Sequence, residues 1–189
     1  MPSPVAHSLI GLALGAAWLL PRAPRRELGA RVWTARGSLA AAVFAANAPD
    51  LDYVPGLLSG DLNAFHPGIT HTVPFVLGLA AAMALCRRAG RARAFGWLAL
   101  IGASHLAADM ITEDLRAPYG IPALWPFSSE RFIAPFHVFL HLRKREWSDI
   151  VQWHNVFAVL WEAAIALPLV LAVLWWKTRA AGHAMRRPE

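Results

Sequence analysis

Apolar residues in this chain gather into five runs, at about 5–20, 37–48, 71–86, 94–111 and 152–176. The polar residues inside them lie mostly toward one end. Such runs read as helices and, at these lengths, as crossings of a bilayer. The pattern predicts an all-α, polytopic membrane protein. Residues 1–176 form one domain, a bundle of about five transmembrane helices, and 177–189 form a basic cytoplasmic tail. Ser3 and Pro4 make a good N-cap and first-turn pair for the first helix. Pro49 stops the second run after Asn47. Thr70 is the expected N-cap of the third, with Pro74 in its first turn, and Pro168 is expected to kink the fifth. Two loops remain, 49–70 and 112–150. In the second, Trp125-Pro126-Phe127 and Trp147 read as interfacial aromatics. The segment with His137 and His141 reads as an amphipathic piece lying on the membrane.

Composition sharpens the membrane reading. Of 189 residues 57% are hydrophobic and 16% charged, too apolar for an ordinary soluble domain. The net charge of +6 raises nucleic acid as a partner, but the placement of the arginines argues against it. Arg22, Arg25, Arg26, Arg31 and Arg36 lie between the first two runs, Arg87, Arg88, Arg91 and Arg93 between the next two, and Lys177, Arg179, Arg186 and Arg187 in the tail. Arg116, Arg131, Arg143, Lys144 and Arg145 share the long loop with Glu113, Asp114, Glu130, Glu146 and Asp149, so its charge balances. Short basic loops beside apolar runs are the positive-inside pattern of an inner-membrane protein. It puts the N-terminus outside and the C-terminus in the cytoplasm. No Lys or Arg precedes the first run and Pro-Arg-Ala-Pro-Arg-Arg follows it, which favours a retained helix over a signal peptide. Cys86, the lone cysteine, excludes an intrachain disulfide and a cysteine-based zinc site.

Polar residues at membrane depth carry the chemistry. His105 and Asp109, four apart, share one helical face and make either half of a metal site or a hydrogen bond that glues helices. His7 lies on the face of Gly11 and Gly15, toward other helices. Counted from the basic end of its own helix, each of His7, Asp50, His71, His105, Asp109 and Glu162 lies about 18–24 Å up. Residues from all five helices thus reach one level, and the irregular backbone near Pro49 and Pro67 must line a cavity there. The expectation is a recessed polar chamber open to the outer side. It gathers His7, Asp50, Asp52, His66, His71, His105 and Asp109 as candidate metal ligands, with Asp50 or Asp52 as general base. Glu162, His154 and His137 are candidates for a supporting shell. Histidine and aspartate suit one to three zinc ions, with manganese or iron as alternatives. Asp109 lies about 6 Å further out along the helix than His105, so two ions would stack along it. There is no HExxH, GxSxG or phosphate-binding glycine loop.

Five motifs occur in order: Ala6-His7-Ser8, Pro49-Asp50-Leu51-Asp52, His66-Pro67-Gly68-Ile69-Thr70-His71-Thr72, Ser104-His105-Leu106-Ala107-Ala108-Asp109 and Leu124-Trp125-Pro126-Phe127-Ser128. This order resembles the YdjM-like family of inner-membrane proteins, described as membrane-bound metal-dependent hydrolases and as distant relatives of zinc phospholipase C and P1-type nucleases. The resemblance implies an all-helical fold and His/Asp-bound zinc. Two metal ions can activate a water and neutralise charge on a phosphoryl group, and a chamber just below the outer leaflet surface favours a membrane lipid or lipid-linked phosphoester as substrate. Two departures stand out. Pro67 replaces an arginine frequent in the family, and Glu113 to Pro118 stretch the last motif. The alternative function is a non-catalytic metal-binding or structural membrane protein. A transporter is disfavoured because the cytoplasmic halves of the runs are almost wholly apolar.

Overall fold

The computed structural model describes residues 1–21, 25–144 and 147–184. Arg22, Arg145, Glu146, Arg186 and Arg187 lie outside the described residues, as do the side chains of Arg25, Arg26 and Trp147. Six α-helices form: α1 Pro4–Leu19, α2 Arg25–Asn47, α3 Tyr53–Ser59, α4 Val73–Leu85, α5 Arg91–Met110 and α6 Trp153–Ala184. Short 3-10 turns at Ala48–Asp52, Ile69–His71 and Trp147–Val151 join them. Among the described residues there is no strand, only isolated bridges pairing Thr112 with Phe139 and Ile121 with Phe132.

Several boundaries differ from the sequence expectation. α2 begins well before position 37, because Arg25 to Arg36 is rich in arginine and, with Glu27, Leu28, Ala30 and Ala35, is made mostly of good helix formers. α6 runs through Pro168 and past Lys177 into the expected tail. The N-cap of α4 is Thr72, whose hydroxyl accepts from Phe75 N at 3.2 Å, not Thr70. Residues 131–144 form no amphipathic helix. They run as irregular chain along the end of α5, where Ala134 N donates to Met110 O and Val138 N to Ile111 O, each at 2.7 Å. The last carbonyls of a helix have no partner of their own, and this segment satisfies them.

Small residues let the helices approach. A Cβ on Gly11 would stand 2.5 Å from Ala46 Cβ, and one on Gly15 2.8 Å from Ala42 Cβ, so α1 lies tight and antiparallel against α2. A Cβ on Gly102 would meet Val76 at 2.6 Å, which seats α5 on α4. The core between them is mostly alanine, with Leu98 and Ile101. α6 grips α1 at both ends. Glu162 accepts from Ser3 N at 2.9 and 3.0 Å and from the Ser3 hydroxyl, while Lys177 Nζ donates to Ala17 O at 2.7 Å and Leu20 O at 2.6 Å. The two residues are fifteen apart, about 22 Å along α6, which matches the length of α1.

Among the described residues one helix, Trp153–Arg179, is long and apolar enough to cross a membrane; α1 and α4 are shorter apolar helices. Only 22% of the apolar window in that long helix is buried inside the protein. Its outward face exposes Phe157, Leu160, Leu167 and Leu171, an apolar stripe of the kind that marks a protein or membrane contact.

Candidate metal centre

Helix ends build the centre. α2 terminates at Asn47, so the Ala46 carbonyl lacks a helical donor. His105 Nδ1 sits 2.7 Å from that carbonyl and must carry its proton there, which leaves a lone pair on Nε2. The 3-10 turn before α4 brings in His71. Its Nδ1 faces Asp52 Oδ2 at 3.1 Å and Thr70 Oγ1 at 3.2 Å, and the Thr70 proton already goes to Asp52. In the neutral His71 ring the proton therefore also lies on Nδ1, which leaves Nε2 free to act as a ligand.

Four donor atoms then converge. His71 Nε2 and His105 Nε2 are 3.2 Å apart. Asp109 Oδ2 lies 3.4 Å from the first and 3.2 Å from the second, and Asp50 Oδ1 lies 3.5 and 3.7 Å from them. A tetrahedral ion with bonds of about 2.0–2.1 Å has edges of about 3.3–3.4 Å. The five separations to the two imidazoles are within a few tenths of an ångström of that, and His71, His105 and Asp109 form one compact group. His105 and Asp109 also correct the expected axial offset. Helical side chains lean toward the N-terminus, so the two functional atoms meet although their backbones are a turn apart.

Orphaned atoms test whether this donor set fits a cation. The carboxylate oxygens of Asp109, both ring nitrogens of His7 and Nε2 of His66 are buried without a hydrogen-bond partner among the described residues. Buried polar atoms are rarely left so, because each costs about 1–3 kcal/mol. His7 stacks on His105 at 3.8 Å and holds Nε2 3.6 Å from Asp109 Oδ1. A divalent cation satisfies lone pairs that face one another with no proton between them. Zinc suits the His/Asp chemistry.

Asp52 stands behind the donors. Oδ1 takes His66 Nδ1 at 2.8 Å, while Oδ2 accepts from Gly68 N and Thr70 Oγ1, both at 2.9 Å, and faces His71. A Cβ on Gly68 would lie 2.5 Å from Phe65 O, so only glycine allows this turn. Burial alone would raise the Asp52 pKa, but the hydrogen bonds from His66 and His71 win and hold it well below the carboxylate range. Burial lowers His66 to about 4 against the pull of Asp52, so at neutral pH the ring is uncharged. Carboxylates that orient the far nitrogen of a ligating imidazole in this way are a recurrent feature of metal sites.

All seven ligand candidates converge here, in three overlapping groups: Asp50, Asp52, His66 and His71; His7, Asp50 and His105; and His71, His105 and Asp109. Glu162, His154 and His137 do not join them. Glu162 caps the start of α1, His154 Nε2 sits 2.9 Å from His141 O, and His137 is exposed. His141 pairs with Glu113 at 2.5 Å. Sequence reasoning passed over Tyr53, stacked on His66 at 3.8 Å, as well as Lys144, Thr70 and the Ala46 carbonyl. A phenol at the start of a short helix, a threonine in a 3-10 turn and a lysine in a loop carry no periodic signal, and a carbonyl carries none at all. Beside His66 opens a cavity of about 1090 Å³, walled by residues 61–68 and by the long 112–150 connection.

Comparison with known proteins agrees with the apolar surface. A family model described as YdjM inner membrane protein matches residues 1–183. The inner membrane protein YbcI of Escherichia coli (strain K12) is 28% identical over 191 residues, spanning 95% of this chain and 100% of that protein. No solved structure matches. With nearly its whole length matched, the chain belongs to the YdjM inner membrane protein family.

Proposed function

We propose that this membrane protein is a zinc-dependent hydrolase of phosphoesters, with the ion held by His71, His105, Asp50 and Asp109. The observation that carries the reading is the approach of Asp50 Oδ1 and Asp109 Oδ2 to the facing Nε2 atoms of His71 and His105, whose Nδ1 atoms are turned to Asp52 and to the Ala46 carbonyl. A bound zinc ion supplies Lewis acidity toward a phosphoryl or carbonyl oxygen. The chain does the rest. Asp52 and the Ala46 carbonyl fix the rings of His71 and His105. Asp50 keeps 14% side-chain exposure while its three partners have none, so it marks the side on which water and substrate arrive. Its Oδ1 faces the imidazoles, which leaves Oδ2 to take a proton from the attacking water.

The same reading places five helices across the inner membrane. α1 runs antiparallel to α2 and to α5, since His7 meets His105 and Trp18 meets Trp97. α6 runs parallel to α1. These directions support five alternating crossings with Arg36, Arg87 and Arg91 on the cytoplasmic side and the metal centre recessed below the outer surface. α1 and α4 span only about 20–24 Å, and protein encloses the irregular backbone that completes their depth.

The experiment is metal analysis of the detergent-purified chain paired with a screen of phospholipid and phosphodiester substrates. At saturating zinc, Asp50→Asn is expected to keep the ion and lose turnover by about 100-fold or more. Zinc-loaded protein that cleaves no phosphoester would leave a structural metal site and end the hydrolase reading. For topology, Asp61→Cys in a Cys86→Ala background is expected to react with an impermeant thiol reagent from outside, and Arg88→Cys from the cytoplasmic side only.

A further inference from the structure

Lys144 lies on the wall of the cavity beside His66. Its ammonium hydrogen-bonds the Tyr53 hydroxyl and stands 4.5 Å from the centroid of that ring. Tyr53 is itself stacked on His66, so a cation is tethered through one aromatic ring to the frame of the metal centre. The Lys144 backbone is pinned as well, by Asn63 Nδ2 at 2.7 Å from its carbonyl. Burial pulls the ammonium pKa down, while Asp50, Asp109 and Asp52 act to raise it, so those carboxylates are within electrostatic reach.

The rest of the wall does not cancel this charge. Arg116 donates to Asn63 O at 3.2 Å, Arg131 to Gly120 O at 2.6 and 3.0 Å, and Arg143 lies 3.4 Å from Gln152 Oε1, all neutral oxygens. The neighbouring acids on the wall have partners of their own: Asp114 the amides of Arg116 and Gly120, Asp61 that of Asn63, Glu113 His141, and Asp149 the Gln152 amide at 2.8 Å. Among the described residues the phenol is the hydrogen-bond partner of the Lys144 ammonium, which lines the cavity.

The geometry points to Lys144, held in place by Tyr53, as the residue that binds the anionic phosphoryl group of the substrate on the cavity side of the metal centre. This rests on the phosphoester reading above and names its recognition element. A neutral ester or amide would leave a half-buried ammonium facing weak acceptors, whereas a phosphoryl group offers charged ones. The same chemistry is presented by a lipid headgroup and by a soluble phosphoester.

The test is calorimetric titration of the full, zinc-loaded chain in detergent with inorganic phosphate, comparing wild type with Lys144→Met and Lys144→Arg. Loss of the charge is expected to weaken binding about tenfold or more, with zinc content and melting midpoint unchanged and with Lys144→Arg within about threefold of wild type. Wild-type affinity in Lys144→Met overturns the assignment. Should that variant lose zinc or fold, Tyr53→Phe removes only the tethering hydroxyl. It is expected to weaken phosphate binding, and unchanged affinity there overturns the proposal. Repeating the titration on zinc-depleted protein separates the two readings. Lysine-dependent binding by a protein that never hydrolyses a phosphoester keeps this assignment and removes the enzyme. Hydrolysis of a phosphodiester with a KM indifferent to Lys144→Met keeps the enzyme and removes this assignment. Phosphatidate in nanodiscs against glycerol 3-phosphate then identifies the source, since the tighter ligand must lose its advantage in Lys144→Met.

Discussion

The Nε2 atoms of His71 and His105 lie 3.2 Å apart with the proton of each ring committed to its other nitrogen. Two bare lone pairs at that separation repel unless a proton or a metal cation sits between them. Zinc is therefore expected to bind at one or more equivalents and to stabilise the fold. At a free concentration of about 100 times Kd the gain is about 2.7 kcal/mol. His105→Gln should lose that ion and most of the chelator-sensitive part of the melting midpoint. Elemental analysis and melts with and without chelator check this; identical zinc content in the variant refutes it.

Asp52 touches both imidazoles of the 66–71 turn but none of the four converging donor atoms except through the His71 ring. Its removal should therefore weaken the centre without emptying it. Asp52→Asn is expected to lower zinc affinity about 10- to 100-fold. Competition against a fluorescent chelator measures it. An affinity loss as large as that of His105→Gln would make Asp52 a ligand itself.

Much of this arrangement is legible in the sequence, for physical reasons. Histidine or aspartate inside an apolar run is costly, so His7, His105 and Asp109 announce themselves. Asp50 and Asp52 do so by following a helix stop, and His66 and His71 by bracketing a turn. Division of labour is not legible. Asp50 and Asp52 alternate along a single short turn, yet one faces the donors and the other their backs, which only the folded path decides. Glu162 is visible as a carboxylate inside an apolar run, but its partner, the Ser3 amide, belongs to a backbone that any sequence would supply.

His66 sets a pH dependence of its own. Burial lowers its folded pKa from 6.5 to about 4. As pH falls below 6.5 the unfolded chain takes a proton that the folded chain refuses, so stability drops until about pH 4, where both states are protonated. The difference amounts to roughly 3 kcal/mol. In zinc-depleted protein, His66→Gln is expected to flatten this part of the curve. Denaturant midpoints at pH 7 and pH 5 measure it, and equal slopes in both proteins would show that His66 titrates normally.

Glu162 and Lys177 hold the two ends of α1, and α1 carries His7 to the centre. Hydrogen bonds to charged groups are worth about 1.5–3 kcal/mol each. Glu162→Gln keeps an acceptor oxygen but loses the charge, while Lys177→Met leaves the Ala17 and Leu20 carbonyls without their ammonium donor. Both should lower the denaturation midpoint, and the double variant should be roughly additive because the sites lie about 22 Å apart. Neither residue touches His71, His105, Asp50 or Asp109, so zinc stoichiometry at saturation should remain that of wild type. A Glu162→Gln protein of unchanged stability that no longer binds zinc would place Glu162 in the metal centre and force a different position for the start of α1.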